Sequence, residues 1–345
     1  MEVFGAYYRR FCVKVGDLSQ KTMPLRSRTQ QYAKRLCPAG PVRKGVRYLN
    51  RAGLDTFRPR LQRTFYFCVL KPGNMQTTDD LFSDKKIYGD DFTLPQIEDW
   101  FEKEQEGYAD LGSKDSGNYA YAYHQINALH GFRFLPKGRL FDRALGVGAA
   151  YGHEILPIAD RIKNLYILEP SDALQSDQLG ELIPRYEKPH MDGHLHFEDN
   201  FFDLITCLGT LHHIPNVSTV IRELHRTLQP GGYFLLREPI ISMGDWRQPR
   251  RGLTRNERGL PIAPLRRLLQ DLNFEIVHEG YCFTMTAFFE RTIGRFFPRQ
   301  LFTYRPFARF DQLISTLLKW NYHYHPTKML QRVAPTSVYY VLRKK

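Results

Sequence analysis

Short apolar runs and amphipathic segments alternate along the chain from residue 140 onward. Apolar runs bounded by glycine, proline or a charged residue are typical of buried strands, whereas apolar positions three or four residues apart are typical of helices. The runs predict strands at 140–147, 165–168, 202–208 and 233–237. The amphipathic segments predict helices at 153–159 and 217–228. This alternation predicts an α/β fold with a doubly wound, mostly parallel sheet.

Further elements are predicted on both sides of this region. Upstream, we predict a strand at 64–70 and helices at 93–107 and 118–130. Downstream, we predict a helix at 262–272, a strand at 274–284 and a final strand at 337–342. Residues 285–325 are rich in aromatic side chains at helical spacing. We expect them to form a substrate-binding cap inserted before the last strand, or alternatively an ordinary aromatic core.

The net charge of +13 is concentrated at the two ends of the chain. Residues 1–63 contain 15 Lys and Arg residues against 3 acids. Phe4, Tyr7, Tyr8 and Phe11 recur there at helical spacing beside basic positions. We therefore predict a basic N-terminal extension that is partly disordered or lies on an anionic membrane surface.

Composition restricts the cellular setting. No apolar run approaches the ~20 residues needed to cross a bilayer, and the first residues lack the apolar stretch of a secretory signal. Five cysteines lie far apart, which argues against a disulfide framework. We expect a cytoplasmic protein, with peripheral membrane contact through the N-terminal extension.

Two motifs indicate a nucleotide-type cofactor. After the first strand of the region, Gly148, Ala150 and Gly152 form a small-residue loop that leads into a helix, which allows the backbone to approach a ligand closely. Glu169 follows the next strand, where an acid can accept hydrogen bonds from ribose hydroxyls. The loop alone is a weak signal, because many nucleotide-binding folds use one.

A third motif is more specific. A Phe202-Asp203 pair opens one strand, Leu211-His212-His213 follows that strand, and Leu228-Gln229-Pro230-Gly231-Gly232 precedes the next. In this order and spacing the sequence closely resembles the class I S-adenosylmethionine-dependent methyltransferases, in the branch that acts on small molecules, sugars and lipids. The resemblance covers residues 140–240. It implies a Rossmann-like sheet of seven strands and S-adenosyl-L-methionine as the cofactor.

The resemblance also implies roles for individual residues. Glu169 would hold the ribose, Asp192 and Gly193 would lie beside the adenine, and Leu208 would lie beneath the sulfonium. The family normally has an acid two residues before the first glycine of the loop. Three alignments remain open, which place Asp142, Ala144 or Gly146 at that position. The third fits the distance to Glu169 best and leaves the acid missing.

Three side chains are candidates for a general base, which methyl transfer to a hydroxyl requires if the acceptor loses a proton. His212 and His213 follow the fourth strand, and Glu238 ends the fifth, at the edge of the sheet where ligands bind. Each has a structural alternative, since such groups also pack and hydrogen-bond beneath a cofactor. Between the histidines and Glu238, we favour the histidines.

The loop after the fifth strand supplies candidate substrate-binding residues. Trp246, Arg247 and Arg250 combine an aromatic surface with guanidinium groups that suit a phosphate, carboxylate or sugar. We therefore predict a small-molecule or glycan substrate and no nucleic acid partner. The sequence gives no oligomeric state.

No metal site is predicted. His190, Asp192, His194 and His196 alternate as on one face of a strand, but they overlap the predicted adenine loop. His323 and His325 lie in a similar aromatic stretch.

The sequence thus predicts methyl transfer to an oxygen of a saccharide, a lipid-linked glycan or another small anionic acceptor. The alternatives are a catalytically inactive protein that binds S-adenosylmethionine and, less favoured, a nicotinamide-dependent oxidoreductase. In domain terms, we predict the extension at 1–63, a helical segment covering the cofactor site at 64–135, and the methyltransferase domain at 136–345 with its cap at 285–335.

Overall fold

The structure is a computed structural model that describes residues 81–111, 120–246, 248–250 and 253–345, with the side chains of 105–111 left out. The N-terminal extension at 1–63 and the predicted strand at 64–70 lie outside the described residues, as does Arg247.

Seven strands form one sheet in the order β3-β2-β1-β4-β5-β7-β6. Strands β1 to β5 are mutually parallel, and β7 is antiparallel to both β5 and β6. The strands are β1 Phe141–Val147, β2 Ile162–Leu168, β3 Arg185–Glu187, β4 Phe202–Leu208, β5 Leu228–Pro239, β6 Phe274–Cys282 and β7 Ser337–Lys344. The predicted mostly parallel, seven-stranded α/β fold is confirmed.

The α-helices of the described residues are α1 Leu94–Leu111, α2 His124–His130, α3 Val217–Thr227, α4 Ile262–Asp271, α5 Thr286–Thr292 and α6 Arg305–Leu318. The helix predicted at 118–130 is helical only from His124. The helix predicted at 153–159 is present as a 3-10 helix, His153–Arg161, whose backbone angles leave the helical region at Ile158, the residue after Pro157.

Apolar side chains cover both faces of the sheet. Helices α3 and α4 pack on one face, where Leu211, Leu224 and Leu265 are fully buried. Helix α2 and part of the segment between β6 and β7 pack on the other, where Tyr123 stacks on the buried Phe302. Strand β4 is buried along its whole length. The carboxyl ends of β1, β2, β4 and β5 therefore meet at one edge, which is where ligands bind in such sheets.

The segment between β6 and β7 divides its aromatic residues between core and surface. Phe302 is fully buried, whereas Phe288, Phe296 and Trp320 are exposed by 55%, 72% and 77%. Part of this segment thus belongs to the core, and the rest is free to serve as the predicted cap. Of the helices described, none is both long and apolar enough to cross a membrane.

Candidate active site

The small-residue loop after β1 adopts left-handed backbone conformations at three of its residues. Gly148, Ala150 and Gly152 have φ angles of +61°, +48° and +76°. A Cβ atom on Gly148 would lie 2.4 Å from Cγ2 of Thr210, so glycine is required there. The Thr210 hydroxyl donates a hydrogen bond to the Val147 carbonyl at 2.9 Å and joins this loop to the end of β4.

Glu169 lies at the end of β2 and faces the same loop. One carboxylate oxygen accepts the Ala150 N–H at 3.2 Å, and the other accepts the Ser171 N–H at 3.0 Å. Burial raises the pKa of Glu169, and these hydrogen bonds oppose the shift. Each carboxylate oxygen keeps a second lone pair, so the group can also accept hydrogen bonds from two ribose hydroxyls.

A cavity of about 1420 Å³ opens at this edge of the sheet. The predicted site residues that line it are Gly148, Ala150, Glu169, Gly193, Leu208, His212, His213 and Glu238. Two predicted cofactor residues do not line it. Gly152 packs against Ile167 and Leu179, where a Cβ would approach both side chains to 3.0 Å. Asp192 caps its own loop instead, because its carboxylate accepts the His194 N–H at 2.9 Å.

Glu238 organises the turn after β4. It is fully buried, and its carboxylate accepts the backbone N–H groups of Thr210 at 3.0 Å and Leu211 at 2.8 Å. It also lies 2.8 Å from Nδ1 of His212. A carboxylate with this many donors holds the turn in place, and the geometry favours this structural alternative over a role as general base.

His212 lies between two buried carboxylates. Its Nδ1 contacts Glu238, and its Nε2 lies 3.6 Å from Oε1 of Glu257. Burial alone would lower the pKa of His212, but the two carboxylates outweigh it and raise the pKa to about 9. The same pairing holds the pKa of Glu257 at about 2 against the effect of burial. His212 is therefore protonated at neutral pH, and an imidazolium has no lone pair with which to accept a proton.

His213 forms a different arrangement with Glu104 of α1. Nδ1 of His213 lies 2.9 Å from Oε2 of Glu104, and the Thr254 hydroxyl donates to the same oxygen at 2.5 Å. Burial tends to raise the pKa of Glu104, but the hydrogen bonds from His213, Thr254 and Asn256 lower it below its usual value. A carboxylate acceptor at Nδ1 selects the tautomer in which Nε2 carries the lone pair, as a general base needs.

One group of side chains in the described residues has the spacing of a metal site. His212, His213 and Glu257 bring one donor atom each within 4.8 Å of one another. The proton on His212 already supplies a positive charge between Glu238 and Glu257. His194 and His325 have other partners: Nδ1 of His194 pairs with Glu223 at 2.9 Å, and Nδ1 of His325 contacts the Ser242 hydroxyl at 2.7 Å.

The predicted substrate-binding residues of the loop after β5 hold that loop together. The indole N–H of Trp246 donates to the Ser242 carbonyl at 2.5 Å, and its ring packs against Phe82 and Tyr88. The Arg250 guanidinium donates to backbone carbonyls, among them Met243 at 3.1 Å. Neither side chain lines the cavity, so the structure gives both a scaffolding role that the sequence did not predict.

Four buried charged residues that line the cavity were not predicted as site residues: Glu104, Glu154, Arg237 and Glu257. Arg237 carried a local signal, since it is a cation at the end of an otherwise apolar strand. Glu104 and Glu257 carried none, because they reach the histidines from segments distant in sequence.

Comparisons with known proteins agree with this architecture. Residues 121–279 match the family described as "Methyltransferase domain". The chain is 25% identical over 122 residues to the mitochondrial arginine-hydroxylase NDUFAF5 of Danio rerio, covering 35% of this chain and 38% of that protein. It is 36% identical over 84 residues to the fatty-acid O-methyltransferase of Mycolicibacterium smegmatis, covering 24% of this chain and 28% of that protein. The chain thus spans less than half the length of these relatives.

Among solved structures, a SAM-dependent methyltransferase of Leishmania major is 16% identical and covers 73% of this chain and 87% of its own, with a TM-score of 0.45. The matched segment 121–279 contains the loop after β1, Glu169, both histidines and Glu257. The strand order β3-β2-β1-β4-β5 is that of nucleotide-binding doubly wound sheets. The family match and the strand order thus agree on a methyltransferase domain at residues 121–279.

Proposed function

We propose that the protein transfers the methyl group of S-adenosylmethionine to an oxygen of a saccharide, a lipid-linked glycan or another small anionic acceptor. The observation that carries the proposal is the single cavity of about 1420 Å³, which is lined at once by the loop after β1, by Glu169 and by the His213–Glu104 pair. The residues proposed for the cofactor and for the general base thus line the same space.

The residues present fit the cofactor. The left-handed loop at Gly148 and Ala150 exposes backbone at the end of β1, and Glu169 offers carboxylate lone pairs at the end of β2. When bound, S-adenosylmethionine would supply an activated methyl carbon, whose bond to sulfur breaks as the acceptor oxygen bonds to it. The protein's own part is to position the two partners and to remove the acceptor proton.

His213 is the side chain best placed to take that proton. It lines the cavity, and Glu104 fixes its tautomer. The acceptor hydroxyl would pass its proton to Nε2 of His213 while its oxygen forms the new bond to carbon. The charge on the resulting imidazolium would be balanced by the Glu104 carboxylate, in the way a buried acid supports a catalytic histidine. His212, already protonated, would contribute positive charge at the site.

The acceptor class is supported by the chemistry of the cavity and by one relative. The wall includes the cationic side chains of Lys188 and Arg332, which suit an anionic acceptor. The matched protein of Mycolicibacterium smegmatis is named a fatty-acid O-methyltransferase. An oxygen acceptor that carries negative charge is consistent with both observations.

Calorimetry with S-adenosylhomocysteine, followed by incubation of the full chain with S-adenosylmethionine and candidate acceptors, tests the proposal. We expect binding of S-adenosylhomocysteine and, by mass analysis, an acceptor that gains one methyl group. NAD binding in its place would refute the cofactor assignment. Cofactor binding with no methylated product from any anionic hydroxyl acceptor would favour the alternative of an inactive binding protein, for which the missing acid at Gly146 is the supporting observation.

A further inference from the structure

Glu154 is a buried carboxyl group that the proposed reaction does not use. It is 4% exposed and lies at the start of the 3-10 helix after the loop. One of its oxygens accepts the Thr206 hydroxyl at 2.8 Å, which is its only hydrogen bond among the described residues. It forms no ion pair with any cation of those residues, and it lines the cavity. A buried carboxylate is costly unless a cation pairs with it, so Glu154 is able to bind a cationic group in the cavity.

Arg237 has the complementary property. Its guanidinium is buried, donates to the Leu208 carbonyl at 2.8 Å and the Asn127 side chain at 3.3 Å, and lies 4.1 Å from the centre of the Tyr123 ring. Within the part of the chain that the structure describes, no carboxylate pairs with it. A guanidinium stays charged in any protein environment. Arg237 is therefore a buried cation that is able to pair with an anionic group in the cavity.

The two charges lie on the same face of the sheet. Thr206, which holds Glu154, pairs with Leu235, and Arg237 lies two residues further along the same strand. Residues two apart on a strand share a face. Strand spacing and rise put Thr206 and Arg237 about 8 Å apart at Cα, both at the edge that opens into the cavity.

Gly146 explains why the acid comes from Glu154. The resemblance to class I methyltransferases places an acid at one of three positions, and Gly146 is the one that fits the distance to Glu169. A Cβ atom there would lie 2.9 Å from Cβ of Ala149 and 3.2 Å from Ile155, so no acidic side chain fits. Gly146 pairs directly with Thr206 across β1 and β4. Glu154 follows the loop, and its carboxylate bonds to Thr206, so it lies close to Gly146.

We infer that Glu154 and Arg237 form a binding site for an α-amino acid group, in which Glu154 holds the ammonium and Arg237 the carboxylate of the methionine part of S-adenosylmethionine. The inference rests on the proposed function and deepens it, because it assigns the acid that the loop lacks. Burial raises the pKa of Glu154 to about 7, while Thr206 and Arg237 oppose the shift. A bound ammonium would favour the charged carboxylate and so compensate this cost.

The test compares two ligands that differ in the amino acid group. S-adenosylhomocysteine has it, whereas 5′-methylthioadenosine keeps the adenosine and lacks it. Calorimetry on the full chain should show that Glu154→Gln weakens S-adenosylhomocysteine binding about 10- to 100-fold and leaves methylthioadenosine within about twofold, as expected for one charge-assisted hydrogen bond. Arg237→Lys, which keeps the charge but loses the planar fork, should show the same selectivity. Glu275→Gln, on the exposed part of β6, is the matched control.

A pH series gives an independent readout. Wild-type affinity for S-adenosylhomocysteine should fall as the pH is lowered from 8 to 6, because Glu154 must be ionised to hold the ammonium, and Glu154→Gln should lose this dependence. The other titratable or charged groups that interact electrostatically with Glu154 are Arg237 on β5, Cys207 on β4 and Tyr339 on β7, and burial raises the pKa of Cys207 and Tyr339 well above this range.

The outcomes separate this inference from the proposed function. If the wild type prefers S-adenosylhomocysteine to methylthioadenosine and both variants keep that preference, the inference is wrong and the proposed function stands. If the wild type binds neither ligand, both are wrong. If Glu154→Gln weakens both ligands equally, Glu154 supports the cavity as a whole and the inference is again wrong.

Discussion

Replacing His213 with alanine should slow methyl transfer without weakening cofactor binding. The structure gives His213 a buried carboxylate, Glu104, at 2.9 Å from Nδ1, and a place in the cavity wall. It gives His212 a proton that is held between two acids. Of the two adjacent histidines, His213 is therefore the better candidate for the general base.

The expected loss of turnover follows from the two roles at this site, proton acceptance by His213 and the support of His213 by Glu104. A positioned general base contributes about 10²- to 10⁴-fold in rate, so His213→Ala should lower turnover by that factor. Glu104→Gln keeps the shape of the side chain and removes its charge. It should cost about 10- to 100-fold, the value of one hydrogen bond to a charged group. His323→Ala is the control: it removes an exposed histidine of the cap segment and should leave turnover unchanged.

The assay measures turnover with an acceptor identified by mass analysis, together with S-adenosylhomocysteine affinity and thermal unfolding for each variant. Near-full turnover of His213→Ala would refute the base assignment and leave proximity alone as the source of the rate. A joint loss of turnover, affinity and stability would show that His213 only packs beneath the site.

Four further predictions follow. Glu169→Ala should weaken S-adenosylhomocysteine binding by about 2 kcal/mol in calorimetry, and unchanged affinity would contradict its role at the ribose. The raised pKa of His212 stabilises the fold fully below pH 6.5, and this stabilisation of about 3 kcal/mol is lost as the pH rises through 9, so the wild-type melting temperature should fall more than that of His212→Gln over this range. Treatment with EDTA should leave turnover unchanged, since no metal is expected; a loss restored by a divalent ion would assign one to His212, His213 and Glu257. The full chain should bind anionic vesicles at low salt and release them at high salt, and removal of residues 1–63 should abolish this, whereas equal binding by the truncated chain would show that the extension is not the anchor.

The strands that position the site were predictable because their signal is local. Residues 202–208 are mostly apolar, and the structure buries every one of them. Strand β3 escaped prediction, since three residues with a central tyrosine between two charged side chains carry no apolar pattern. The helix predicted at 153–159 is also present, and its kink at Ile158 directly follows Pro157, whose ring and missing N–H disfavour a regular continuation.

The residues of the candidate site were predictable only where they belong to a local sequence motif. The loop, Glu169 and the histidine pair were all found this way. The difference between His212 and His213 was not, because it depends on which carboxylates each ring meets. Glu104 comes from α1 and Glu257 from the loop after β5, and the residues next to the histidines in the sequence do not indicate either contact. The protonation state of a histidine is thus a property of the assembled fold.

The adjacency of Arg237 and Glu238 makes β5 unusually sensitive to insertions and deletions. Their side chains lie on opposite faces of the sheet, one beside Leu208 and Asn127 and the other beneath the turn at Thr210 and Leu211. A slip of one residue in β5 would move each charge to the opposite face, away from the groups that form its hydrogen bonds. Length variation among natural variants should therefore fall before Tyr233, at the glycines 231 and 232 where β5 is already irregular against β4, and not between that point and the end of the strand.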